Sequence, residues 1–199
     1  IPEQHKNTFT KGPSEMHNSV AYADYALSTF FEKAKQTDWY DNTLFVIVAD
    51  HTPASGTPIY FKDMGNMHIP LVFYHPTNQF FRGREDKIVS QTDIMPTLLN
   101  LIGHKDPFFA FGKSIFDETT GYSASYIGDK YLYFGSYKNE NYMLQYQDDK
   151  ILGIFNIEDQ LQTKNLVSDI ALSTALEKHL KAMIQAYNHA LISNEMTVQ

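Results

Sequence analysis

Thr43-Leu44-Phe45-Val46-Ile47-Val48-Ala49-Asp50-His51 is the stretch on which the reading of the fold turns. From Leu44 to Ala49 every residue is apolar, with β-branched side chains prominent among them. A strand with one wet face alternates polar and apolar residues. An unbroken apolar run is expected where both faces are covered, as in a central strand of a parallel sheet flanked by helices. The run stops at Asp50-His51-Thr52-Pro53. A carboxylate and an imidazole thus emerge together at the carboxyl end of a strand, the edge where open α/β sheets place their ligands.

Working outward, the residues before this strand carry a helical period. Val20, Ala23, Leu27, Phe30, Phe31 and Ala34 recur at three- and four-residue steps, with Asp24, Ser28, Glu32 and Lys35 opposite them. This predicts an amphipathic helix of about five turns, capped by Ser14 or Asn18. Residues 1–13, with Pro2, Gly12 and Pro13, read as an irregular lead-in.

Beyond the strand, residues 52–67 read as a loop. A second apolar strand is expected at Ile69-Pro70-Leu71-Val72-Phe73-Tyr74, with the proline at its start, where a missing donor is tolerated. Gln91 to Gly103 predicts a short apolar helix, with Asp93 as N-cap, Pro96 in the first turn and Gly103 as the stop. From about residue 112 the character changes. Tyrosine-rich segments at 122–127, 130–136 and 141–146, with turns at Gly128-Asp129 and Lys138-Asn139-Glu140, predict an antiparallel meander. A further short strand is expected near 150–155. A terminal helix from about Asp169 to Ser193 carries Leu176, Leu180, Met183, Ile184, Tyr187 and Leu191 on one stripe. The tyrosines suit either a carbohydrate-binding face or a sheet packed on that helix.

Asp50 and His51 are the candidate metal ligands. A carboxylate oxygen and a neutral imidazole suit Zn²⁺ or Mn²⁺, and a metal there would polarise a phosphoryl or sulfuryl oxygen. The dipeptide alone favours a local reading, in which the aspartate caps the next turn and the histidine bonds a backbone group.

Three ordered segments add to this. Asp41-Asn42-Thr43-Leu44-Phe45-Val46-Ile47-Val48-Ala49-Asp50-His51 is followed by His68-Ile69-Pro70-Leu71, then by Gln91-Thr92-Asp93-Ile94-Met95-Pro96-Thr97-Leu98-Leu99. In that order, and with the helical segment from Ala21 to Lys35 ahead of them, they resemble the sulfatase-like branch of the alkaline phosphatase superfamily, nearest to its lipoteichoic acid synthase and phosphoglycerol transferase type. The resemblance covers residues from about 15 to 117.

It implies the C-terminal part of an alkaline-phosphatase-like α/β catalytic domain over residues 1–117, with a small α+β subdomain over 118–199. It implies a hydrolase or transferase acting on a phosphate or sulfate ester, with Asp50 and His51 matching the family's metal-ligand pair and a divalent ion (Mn, Zn, Mg or Ca) as cofactor. Two further positions enter as substrate contacts: His68, where relatives often carry Arg, and Lys62, in the loop where sulfatases place a Lys. His75 reads as structural. The family's nucleophile, a Thr, Ser or modified Cys, has no matching position; Thr8, Thr10 and Ser14 lie in the wrong context.

The expectation is therefore a piece of a longer polypeptide that supplies half a metal site and is inactive alone. The substrate would be an ester, of a lipid headgroup or a glycan among others, and the remainder of the parent chain a partner. Relatives of the synthase type carry N-terminal membrane helices, which would make this an extracytoplasmic domain, periplasmic or at the cell surface. The alternatives are a soluble sulfatase with a signal peptide and a noncatalytic module that binds through the tyrosine-rich sheet.

Composition bounds all of these. The 199 residues are 43% hydrophobic and 20% charged, enough apolar material for a core. The 16 Lys and Arg against 23 Asp and Glu leave a net charge of -7, which argues against nonspecific binding to a nucleic-acid backbone, since that needs a basic face. With no cysteine, disulfides, zinc ribbons and thiol nucleophiles are excluded as well. No apolar run reaches the ~18 residues of a membrane span.

Overall fold

The computed structural model describes residues 1–5, 8–9, 12, 15–52 and 56–198. Thr10, Pro13, Ser14 and Pro53, named above, lie outside them. Two units form: residues 1–49 with 70–84, and residues 50–69 with 85–199.

The first unit holds helix α1 (Glu15–Ala34) and strands β1 (Phe45–Val48) and β2 (Leu71–Tyr74). Asn18 sits inside α1 and is not its cap. The two strands pair antiparallel, Phe45 opposite Tyr74 and Val48 opposite Leu71. The sheet expected to be mostly parallel is thus antiparallel at this pairing, and among the described residues no third strand joins it. Between β1 and β2 the described residues hold a 3₁₀ turn (Pro58–Phe61) and helix α2 (Asp63–Asn66), not a long helix of the kind that usually joins parallel strands.

The expected double burial is also not met, since Val48, Val72 and Tyr74 are exposed. On α1, Ala34 is buried, while Val20, Leu27 and Phe30 of the predicted stripe are exposed. What holds this unit together is aromatic. The Phe31 and Phe45 rings lie 5.0 Å apart, Phe45 and Tyr74 5.9 Å, and the Tyr40 and Tyr74 hydroxyls share a hydrogen bond of 2.9 Å. His75 accepts from the Thr77 and Asn78 amides at 3.3 and 3.2 Å, the structural role expected of it.

The second unit holds α2, helix α3 (Ile94–Leu101), strands β3 (Ser123–Ile127), β4 (Lys130–Tyr137), β5 (Glu140–Gln147) and β6 (Lys150–Asn156), and helix α4 (Ile170–Ile192). The four strands pair in chain order, all antiparallel. Lys138 and Asn139 (φ 50° and 66°) and Asp148 and Asp149 (φ 48° and 58°) all take the left-handed backbone that two-residue hairpins require.

Successive side chains of the sheet leave by opposite faces. One face carries Tyr133, Tyr142, Leu144, Tyr146 and Ile154, which bury against Leu172, Leu176 and Leu180 of α4. The other carries Met143 and Phe155, which pack on Met64 of α2. Asp169 caps α4, its carboxylate accepting from Leu172 N–H at 3.0 Å.

α3 starts differently from the prediction. A 3₁₀ turn over Gln91–Asp93 precedes it, so the N-cap moves back to Ser90, and Asp93 closes a capping box by accepting from Ser90 N–H at 2.8 Å. Its C-terminus is a Schellman motif: Gly103 stands at φ 71°, and His104 N–H reaches Leu99 O at 2.9 Å. No helix among the described residues is long and apolar enough to cross a membrane.

Candidate functional site

Asp50 and His51 follow β1 directly, where the extended backbone ends and a bend begins. Both are open to solvent, with side-chain exposures of 88% for Asp50 and 77% for His51. Each divides its two polar atoms between two tasks. One oxygen of Asp50, Oδ1, accepts from His51 N–H at 2.8 Å, a local turn contact. His51 Nδ1 lies 2.9 Å from Thr52 O. A carbonyl oxygen only accepts, so Nδ1 carries the proton, and the neutral ring presents its lone pair at Nε2.

The remaining atoms, Asp50 Oδ2 and His51 Nε2, stand 3.6 Å apart. With the lone pair at Nε2 the two atoms form no ion pair, and even a protonated ring would contribute little to stability at this exposure. The spacing has a second meaning. Two ligands each about 2.1 Å from a tetrahedral ion are separated by about 3.4 Å, so the pair is spaced to share one cation without large rearrangement. The structure therefore shows the local reading and leaves Asp50 Oδ2 and His51 Nε2 outside those local hydrogen bonds. No group of three or more His, Cys, Asp or Glu is arranged to hold a metal ion among the described residues.

Three supporting contacts escaped the sequence reading. The Thr52 hydroxyl lies 2.6 Å from Asn66 O and 2.7 Å from Asn66 Oδ1, which ties the residue after His51 to the end of α2. Gln91 Nε2 donates to Asp50 O at 3.1 Å and holds the backbone of the carboxylate residue. Asp63 of α2 accepts from both Lys130 and Gln145 of the sheet. Gln91 was visible in the motif ahead of α3 but only as part of a helix start. Thr52, Asp63 and Asn66 lie in what the sequence presents as loop, with no periodicity to single them out.

The two expected substrate contacts are both exposed. His68 is fixed through its backbone N–H to Gly65 O at 3.2 Å, and its ring has no partner among the described residues. Lys62 bonds through its backbone, donating to Ile59 O at 3.2 Å and accepting from Asn66 N–H at 2.9 Å. Its charge is felt by Asp159, whose carboxyl is held below the ordinary value chiefly by the backbone amides of Lys164 and Thr163, with Lys62 a lesser cause. The structure thus brings together Asp50 and His51, and shows no contact joining Lys62 or His68 to them.

The tyrosines of the meander serve the core first. Tyr133, Tyr142 and Tyr146 are buried under α4. Burial pushes the Tyr133 phenol up to about 12, and a hydrogen bond to Glu140 does the same for Tyr142.

Comparison with known proteins gives two kinds of likeness. The family model described as sulfatase matches residues 4–104. Among curated proteins, the chain is 25% identical over 120 residues to an arylsulfatase of Clostridium perfringens, covering 56% of this chain and 25% of the relative. It is 28% identical over 131 residues to lipoteichoic acid synthase 1 of Bacillus subtilis, covering 57% of this chain and 20% of that relative. The chain thus spans between a fifth and a quarter of the length of the curated relatives it matches. No solved structure matches it significantly.

Proposed function

We propose that this chain, which belongs to the sulfatase family, contributes Asp50 and His51 to a divalent-metal site that acts on a phosphate or sulfate ester. The observation that carries the reading is the 3.6 Å between Asp50 Oδ2 and His51 Nε2, each left available by a side chain whose other polar atom is already engaged. The donor set, one imidazole and one carboxylate, favours Zn²⁺ or Mn²⁺ over the all-oxygen shells of Mg²⁺ and Ca²⁺. A metal bound there supplies charge stabilisation at the ester oxygens. The residues of this chain do the rest of the work proposed: Asp50 offers an anionic oxygen, His51 a neutral nitrogen, and Thr52 O holds the imidazole in the tautomer that keeps that nitrogen free. Lys62 and His68 are proposed as contacts for the anionic ester, on the ground that both are exposed and cationic or able to become so.

Two ligands leave most of a tetrahedral shell to water. We therefore take residues 1–117 as the C-terminal part of a catalytic domain and 118–199 as its smaller subdomain, with the nucleophile and further ligands supplied from outside these 199 residues. Support comes from the share of the curated relatives that is matched and from the exposed apolar side chains of α1, β1 and β2. By likeness to the lipoteichoic acid synthase, the working location is extracytoplasmic, on a membrane-anchored parent.

The test is a Mn²⁺ and Zn²⁺ titration of the chain beside Asp50→Ala and His51→Ala, with sulfate and phosphate diester chromogenic substrates in parallel. Weak binding is expected in the wild type, at least about tenfold weaker in each variant, with no turnover. Equal binding in all three removes the metal role. Strong metal-dependent turnover overturns the missing nucleophile and leaves the metal role standing.

A further inference from the structure

Helix α2 is four residues long, far too short to hold its shape by its own hydrogen bonds. Its position is imposed from outside, at three successive residues. Asp63 Oδ2 takes Lys130 Nζ of β4 and Gln145 Nε2 of β5, each at 2.5 Å. The Asp63 and Lys130 side chains are only 24% and 27% exposed, so this pair is less screened than a surface ion pair. Met64 packs on Met143 and Phe155 of the same sheet face. Gly65 passes so close to the preceding turn that a Cβ would stand 2.1 Å from Ile59 O.

The fourth residue, Asn66, is thereby placed, and it is Asn66 that receives the Thr52 hydroxyl at 2.6 and 2.7 Å. Thr52 in turn supplies the carbonyl that receives His51 Nδ1–H at 2.9 Å. A continuous path of hydrogen bonds and one short helix leads from the sheet of the second unit to the imidazole.

We infer that Asp63, Asn66 and Thr52 are positioning residues for His51, so that the antiparallel sheet decides, through α2, which nitrogen of the imidazole is offered to a metal ion. The inference rests on the metal reading of Asp50 and His51 for its purpose. Its geometry stands without that reading. Partners outside the ligand shell commonly fix ring orientation and tautomer in metal sites, and their loss costs about ten- to a hundredfold in affinity. Here the partner of the imidazole is a backbone carbonyl, which cannot be mutated away. Control over it passes to the side chains that hold that stretch of backbone.

The experiment uses the 199-residue chain with ¹⁵N-labelled histidine at pH 8. Nitrogen shifts report the His51 tautomer, and broadening by Mn²⁺ reports the ion at the ring. The wild type is expected to show Nδ1–H in excess. Thr52→Val and Asp63→Ala are each expected to relax His51 toward the tautomer mixture of a free imidazole, and to raise the Mn²⁺ concentration for half-broadening about tenfold. Asn66→Ala keeps the backbone acceptor Asn66 O and is expected to have a smaller effect. Thr52→Ser keeps the hydroxyl and is expected to behave as wild type. Asp63→Ala can loosen α2 altogether, so Thr52→Val, which removes the hydroxyl from both of its acceptors, is the deciding variant. An unchanged tautomer in Thr52→Val overturns the positioning role whatever the metal does. A wild-type ring that Mn²⁺ leaves sharp, or that broadens equally in Asp50→Ala, overturns the metal reading, and the tautomer comparison then carries or overturns the positioning by itself.

Discussion

Asp93, Asp50 and His51 show how one side chain serves two masters. The buried Asp93 carboxylate accepts from Ser90 N–H at 2.8 Å through one oxygen and from Lys113 N–H at 2.9 Å through the other, so it caps a helix start and anchors a distant loop. Asp50 and His51 spend one polar atom each on the local turn and keep the other free. Tyr133 is a third case with a measurable consequence. Its phenol is hydrogen-bonded to His179 and pushed from 10.0 up to about 12, first by burial and then by Tyr122. Below pH 10 the phenol is protonated whether the chain is folded or not, and its contribution is complete. Above pH 10 the unfolded chain loses the proton first, so the contribution disappears as pH climbs from about 10 to about 12. Urea unfolding at pH 8, 10 and 11.5 should show stability falling over the last interval, and Tyr133→Phe should remove on the order of 2 kcal/mol of that fall. A fall of the same size in Tyr133→Phe would sink the assignment. Tyr142, raised to about 12 chiefly by its hydrogen bond to Glu140, and Tyr40, raised to about 12 chiefly by its hydrogen bond to Tyr74, contribute to the drop that persists.

Among the elements, the meander and α4 were legible before folding because their signals are local. Gly128-Asp129 and Lys138-Asn139, read as turns from the sequence, and Asp148-Asp149, not singled out there, turn the chain through left-handed backbone at Gly128, Lys138, Asn139, Asp148 and Asp149, and each strand between them alternates its faces. The stripe on α4 was read well at its centre and less well at its end. Leu176 and Leu180 are buried, while Tyr187 and Leu191 are exposed, because the sheet covers only the first half of the helix. Leu180, fully buried between Tyr and Ile side chains of the sheet, is the natural probe of this packing. Leu180→Ala should cost about 2–5 kcal/mol in denaturant unfolding. A cost below about 1 kcal/mol would mean that α4 does not carry the core. α3 was placed correctly but its start was not, since an N-cap at Asp93 and a capping box from Ser90 to Asp93 differ only in whether one 3₁₀ turn precedes the helix.

On the scale of the whole molecule, burial is uneven between the two units. Among the described residues of 1–49 and 70–84 the buried apolar side chains are Ala34 and Tyr40, whereas the other unit buries Leu132, Met143, Leu144, Ile154 and Leu176 almost completely. Local opening is easiest where few apolar contacts oppose it. Amides of β1 and β2 should therefore exchange with deuterium faster than those of β4 and β5, and equal protection in the two sheets would contradict this distribution of the core.

Periodicity, turn residues and three ordered motifs were enough to name the family, to outline the C-terminal meander with its helix, and to single out Asp50 and His51. Those are properties of neighbours along the chain, where spacing of 2 or 3.6 residues or a run of identities leaves a direct trace. Strand direction at β1 and β2 left none: an apolar run reads the same whether its partner lies parallel or antiparallel, and it does not say whether its faces find cover. The same holds for the support behind His51. Asp63 meets Lys130 and Gln145 across 67 and 82 residues of chain, and Thr52 meets Asn66 across 14, contacts that exist only once two separate segments have been folded against each other.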